Sequence, residues 1–124
     1  MVEDMTVAAI ERAQASYEMG DLRTKLARWH AHVDVAFRGW CDAWLDPKFR
    51  EWDIAGFLPT VAAPAQIIQG DRDPYGSERQ IAIARQALPA PPLVALLPGV
   101  GHAPHKEAPE ATLTRIRDFA LCLF

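Results

Sequence analysis

Two short segments carry the residue types of an acid and a base. They are Gln69-Gly70-Asp71-Arg72-Asp73-Pro74-Tyr75-Gly76 and Gly101-His102-Ala103-Pro104-His105, which place Asp73 and His102 29 positions apart. A carboxylate that accepts a hydrogen bond from one imidazole nitrogen fixes the ring's tautomer and orientation and stabilises its protonated form. The other nitrogen is then free to take a proton from a nucleophile. The chemistry implied is general-base assistance of a nucleophilic hydrolysis. Asp71 competes as the acid because it lies nearer the preceding strand. Asp73, standing before a proline, also reads as a turn residue. The third member of such a triad is a nucleophile in a strained G-x-S-x-G turn that precedes both loops. The only serines, Ser16 and Ser77, lack the flanking glycines, and Cys41 and Cys122 read as packing residues.

The elements that position these loops follow from the apolar pattern. Ala65-Gln66-Ile67-Ile68-Gln69 is halted by glycine and Leu93-Val94-Ala95-Leu96-Leu97 by Pro98-Gly99, so both read as short strands buried on two faces, as parallel strands are. Between them Ser77–Leu88 reads as a helix with Ile81, Ala84 and Leu88 on one side. Ligands bind beyond the carboxyl ends of parallel strands. Neighbouring strand ends about 5 Å apart let a carboxylate reach an imidazole. Glycines at 70, 76, 99 and 101 permit sharp turns and left-handed backbone. Pro109 opens a last helix expected to turn Leu113, Ile116, Ala120 and Leu123 toward the sheet.

The first part of the chain reads as helical. A helix over about Met5 to Met19 ends at Gly20, in the left-handed position, and Asp21 caps the next. Leu22, Leu26, Trp29, Val33, Phe37, Trp40 and Trp44 form one continuous stripe at helical period. Asp46-Pro47 supplies a cap and a first-turn proline for a short helix through Phe49 and Trp52. The pattern changes within Gly56-Phe57-Leu58-Pro59-Thr60-Val61, giving a helical segment over 1–55 and a strand-and-helix segment over 56–124.

At these residues the chain resembles the α/β-hydrolase superfamily, whose last two strands are followed by a G-x-x-D acid loop and a G-H loop. The closest match is to a bacterial subgroup with Q-G-x-x-D-x-Y-G, G-H-x-P-H and a tryptophan-rich helical cap like residues 21–53. The resemblance implies an α/β fold class: a helical cap or lid over 1–55, then the C-terminal part of a hydrolase core over 56–124, a βαβα unit with parallel strands. It assigns Asp73 as acid and His102 as base of a Ser-His-Asp triad acting on an ester, acyl or carbon–carbon bond, and an aspartate nucleophile would imply dehalogenase or epoxide chemistry. The first strands, the oxyanion-hole loop and the nucleophile turn of the family are missing from these residues. The isolated chain is accordingly expected to be inactive, either as a piece of an enzyme or as a non-catalytic remnant or interaction module.

Composition narrows the partners. The chain has 124 residues, half of them apolar, and a formal charge of −3 with no dense basic cluster, which argues against a nucleic-acid partner. An acidic start and no long apolar run predict a cytoplasmic protein without a membrane partner. Trp40, Trp44 and Tyr75 are candidate lining residues for a small apolar ester-like substrate, and helix packing serves the tryptophans equally well. His30 and His32 stand two apart on a helix and point in different directions, zinc-type spacing is absent, and His105 reads as a surface residue, so no metal and no cofactor is expected. A two-stranded sheet leaves edges unpaired, which predicts self-association or pairing with a missing N-terminal half.

Overall fold

The computed structural model describes residues 1–123, and the chain divides into two compact units, Met1–Asp53 and a second beginning at Ile54. The first contains α1 (Asp4–Met19), α2 (Leu22–Leu26) and α3 (Val33–Leu45), followed by a 3-10 turn over Pro47–Glu51. Val33, Phe37 and Cys41 recur every fourth residue of α3 and are buried, as are Ala9, Ile10 and Tyr17 of α1. The Tyr17 and Phe37 rings stack at 3.8 Å. The Tyr17 hydroxyl donates to Asp34 at 2.6 Å, and the Arg23 guanidinium donates to both carboxylate oxygens of Asp34 at 2.9 and 2.7 Å. One carboxylate thus joins all three helices. The Arg23 bonds, then the Tyr17 bond, hold the Asp34 carboxyl well below the usual carboxylate range.

Three expectations for this unit are corrected. The stripe from Leu22 to Trp44 is not one helix: the Trp29 and His30 amides both bond back to the Leu26 carbonyl, and His32 leaves helical geometry before α3 begins. Trp29 is 84% exposed as a result. Periodicity could not see this break because Ala27–His32 contains neither glycine nor proline. Gly20 is extended, with φ −114°, and its need for a bare Cα comes from the Ser16 carbonyl, 2.8 Å from where a Cβ would sit. Asp21 makes no cap and pairs with Lys25 one turn later, at 2.7 Å. At Asp46-Pro47 the side chain of Asp46 accepts from the Lys48 amide at 2.8 Å, and the turn it starts is 3-10.

The second unit runs through a 3-10 turn over Ala55–Thr60, β1 (Gln66–Gly70), α4 (Glu78–Ala87), β2 (Leu93–Leu97), α5 (Pro104–Glu107) and α6 (Pro109–Leu121). Ser77 caps α4 through the Arg79 amide at 3.2 Å. β1 and β2 pair in parallel, from Gln66 opposite Leu93 to Gly70 opposite Leu97. Leu93 N–H donates to Ala65 C=O and Asp71 N–H to Leu97 C=O, so the odd-numbered residues of β1 bond to β2. The backbone of Gln66 and Ile68 faces the other edge, where no strand pairs among the described residues. Gly70, Ile81, Pro92, Leu97, Val100 and Thr112 are the buried residues of this unit among those described.

The α/β fold class expected from the resemblance, with part of an α/β-hydrolase core, is overturned by these elements. The chain is 59% helix and 8% strand, with two parallel strands in one sheet. Two five-residue strands do not make a layered sheet, and residues 1–60 contribute only helical structure to widen it. The last helix is also turned differently from its apolar stripe. It packs on β1 through a face with Thr112 buried and Gln66 donating to the Arg115 carbonyl at 2.9 Å, and leaves Leu113 62% and Ile116 50% exposed.

Candidate functional site

The loop after β1 starts at Gly70, which lies against the loop after β2. Arg72 N–H donates to Val100 C=O at 2.9 Å, and Asp71 Oδ1 accepts from the Gly99 amide at 2.7 Å. Pro98-Gly99 makes the turn that brings the second loop round. Of the four glycines expected to relax the backbone here, Gly99 alone has positive φ, at 74°. The chain then reaches Asp73, whose Oδ1 accepts from the Tyr75 amide at 2.9 Å across Pro74, the turn that Asp-Pro favours. Turn residue and acid are therefore compatible roles for the same side chain.

His102 Nδ1 lies 2.9 and 3.0 Å from the two carboxylate oxygens of Asp73. An ionised carboxylate only accepts, so Nδ1 carries the hydrogen and Nε2 is left as the acceptor nitrogen. The Asp73 side chain is 12% exposed and that of His102 62%. The acid is sheltered at the root of its loop and the base stands in the open. The Tyr75 ring meets the imidazole edge-on, with centroids 4.6 Å apart. This arrangement can hold an imidazole in one tautomer and present Nε2 to a proton donor. No hydroxyl or thiol is bonded to that nitrogen among the described residues.

Asp71, the competing acid, is committed to the Gly99 amide, so Asp73 is the carboxylate joined to His102. Trp40 and Trp44 belong to the first unit, whereas Tyr75, Asp73 and His102 belong to the second. Trp40 tilts against Phe37 at 5.7 Å, and Trp44 packs against Phe49 at 5.2 Å and Trp52 at 6.1 Å. Trp44 also lines an open cavity of 390 Å³ with Val7, Glu11 and Arg50. His105 is exposed on α5, and no group of three metal-ligating side chains occurs among the described residues.

No family model and no curated protein matches the chain. A solved structure is similar to it: a membrane phospholipase A described as a novel bacterial virulence factor, 29% identical, with a TM-score of 0.57. The match covers 68% of this chain and 26% of that one, so the chain spans about a quarter of that protein's length. The chain thus shares a lipase-like likeness with part of a hydrolase. Among the described residues no helix is long and apolar enough to cross a membrane.

Glu107 is the residue that sequence reasoning missed. Its carboxylate accepts from the Gly101 amide at 2.7 Å and the Ala103 amide at 3.0 Å, the residues on either side of His102. The Ala103 bond first, then the Gly101 bond, lowers its carboxyl below the ordinary range. The signal was present in Pro104-His105-Lys106-Glu107: a proline at the first helical position and an acid one turn in, able to reach back to the amides before the helix.

Proposed function

We propose that Asp73 and His102 are the acid and base of a hydrolytic triad that cleaves a carboxylic ester, with the nucleophile contributed by residues other than those of this chain. The observation that carries this reading is the 2.9 Å bond between His102 Nδ1 and Asp73, on an imidazole side chain that is 62% exposed. His102 Nε2 takes the nucleophile's proton as it attacks the carbonyl. Asp73 keeps the ring in the required tautomer and stabilises the imidazolium, and the proton passes on to the leaving alkoxide. Glu107 and Asp71 act on this pair indirectly, by fixing the backbone on which each sits. The likeness to a phospholipase A supports ester hydrolysis and suggests an amphiphilic ester as substrate.

The test has two parts. The 124 residues alone should not hydrolyse an activated aryl ester above background, because an oriented base without nucleophile or oxyanion donors has nothing to activate. In an active protein that contains this chain, His102→Ala should remove most turnover, Asp73→Asn should lower kcat on the order of 10⁴-fold, and Asp71→Asn should cost far less. A larger loss at Asp71 than at Asp73 would sink the assignment.

A further inference from the structure

The helical unit holds a concave surface of its own. The open cavity of 390 Å³ lies where the start of α1 meets the end of α3 and the 3-10 turn that follows it. On α1, Asp4, Val7, Ala8 and Glu11 follow one another by three, one and three residues, which puts them on one face of the helix. Val7, Ala8, Trp44 and Leu45 are half-buried and give the cavity its apolar lining. Phe49 and Trp52 hold the Trp44 ring in place: each meets it at 72°, and they stack on one another at 5.2 Å. Three of the lining side chains are carboxylates, Asp4, Glu11 and Asp46, and one is a cation, Arg50. Arg50 is paired with Asp4, and Asp46 accepts from the Lys48 amide. Glu11 forms no ion pair among the described residues. The negative excess holds beyond the lining. Residues 1–12 and 44–53 carry six Asp and Glu against three Arg and Lys, and the amino terminus is paired with Asp53.

We propose that this cavity binds a small organic cation with an apolar body, of the aryl or alkyl quaternary ammonium class. Small-molecule sites have volumes of about 300–1,000 Å³, an apolar lining and a few polar groups, and this cavity has all three. Charge decides the sign of the ligand. An anion would meet three carboxylates, with Arg50 already engaged by Asp4. A cation meets Glu11 and Asp46, and the last turn of α3 adds the partial negative charge of a helix C-terminus. The Trp44 ring attracts an ammonium head through its π-electrons and asks for none of its hydrogen bonds. A bare metal ion is not served, since no group of three metal-ligating side chains occurs among the described residues. A quaternary head has no N–H to leave unsatisfied against Val7, Ala8 and Leu45. The inference goes beyond the ester-hydrolase reading, because the cavity contains neither Asp73 nor His102.

The experiment is titration of the 124-residue chain with benzyltrimethylammonium, followed by calorimetry and by the amide and indole N–H resonances. Binding should saturate, shift the Trp44 indole and the Val7 and Ala8 amides, and weaken as salt is raised. Benzyl alcohol and benzenesulfonate, the neutral and anionic counterparts, should bind about tenfold or more weakly. Phosphocholine, which carries the same head beside a phosphate, should also bind more weakly. Trp44→Leu should weaken binding of the cation about tenfold, and Glu11→Gln about threefold. Trp29→Gln, at a residue 84% exposed and outside the lining, should change nothing. Circular dichroism on each variant, with Trp44→Phe as a substitution that keeps a π-face, separates a lost site from lost folding. Absence of saturable binding overturns the proposal, as does equal binding of benzyl alcohol or benzenesulfonate. So do folded Trp44→Leu and Glu11→Gln variants that bind as the unaltered chain does. Phosphocholine binding as tightly as the free cation would give the cavity to a lipid headgroup and overturn the assignment as well.

Discussion

Gly70 lies so close beneath Val100 that a Cβ built on it would stand 2.0 Å from the Val100 carbonyl oxygen. That contact is with backbone, so nothing flexible can move aside. Gly70→Ala must push the two loops apart, which lengthens the Arg72–Val100 bond and separates Asp73 from His102. We expect a destabilisation of about 1–3 kcal/mol, read from denaturant unfolding. The His102 ring resonances should shift toward those of a free imidazole. An alanine variant with unchanged melt and unchanged His102 resonances would contradict the close approach.

Acid should loosen both units through identifiable carboxylates. Asp34 and Glu107 each have a folded-state pKa below the unfolded value, the first because of Arg23 and Tyr17, the second because of the Ala103 and Gly101 amides. Their stabilisation is therefore complete above the ordinary carboxylate pKa, about 4, and is lost as pH falls through the lower folded values. The melting temperature should be flat near neutrality and decline below that range. Asp34→Ala and Glu107→Ala should each flatten the decline, and a slope unaltered in both variants would refute the assignment.

Thr112 is buried, and its hydroxyl has no hydrogen-bond partner among the described residues. Thr112→Val keeps the branched shape and removes the unsatisfied group, so it should stabilise the second unit by about 1 kcal/mol. Thermal unfolding of the variant checks the sign. A lower melting temperature would mean that the hydroxyl is bonded in solution.

The unpaired edge of β1 and the apolar surface of α6 and β2 predict self-association. Leu113, Ile116 and Leu93 are 62%, 50% and 54% exposed, and the backbone of Gln66 and Ile68 faces no strand among the described residues. Sedimentation at micromolar concentration should show a dimer or larger species, and Leu113→Glu with Ile116→Lys should shift it toward monomer. A monodisperse monomer of the unaltered chain would count against this surface.

What could be read from the sequence was what local pattern controls. Gln66–Gly70 and Leu93–Leu97 are marked by apolar runs between turn residues, and Asp46 acts locally as a cap. The Asp73–His102 pair followed from two strands in parallel register, because register fixes which loops meet. The fold class did not follow. Motifs at the ends of two strands say nothing about how many other strands exist, and the residues before Gln66 are helical or irregular. Helical spacing placed Trp29 in a stripe, yet the chain turns there. On α6 the apolar residues matched the helical period, while the partners of Thr112 and Arg115 decided which side faces β1. Glu107 was overlooked because its partners are backbone amides, and its one mark in the sequence is local, an acid one turn after the proline that opens α5.

The laced loops carry a consequence for chain length. Asp71 holds the Gly99 amide, Arg72 the Val100 carbonyl and Glu107 the amides on either side of His102. The two stitches between the loops count residues from the strand ends, one and two past Gly70 in the first loop against two and three past Leu97 in the second. An added residue in either loop would slide one set of partners past the other and turn the imidazole away from its carboxylate. The two loops can vary in side chain, but neither can grow or shorten unless the other compensates.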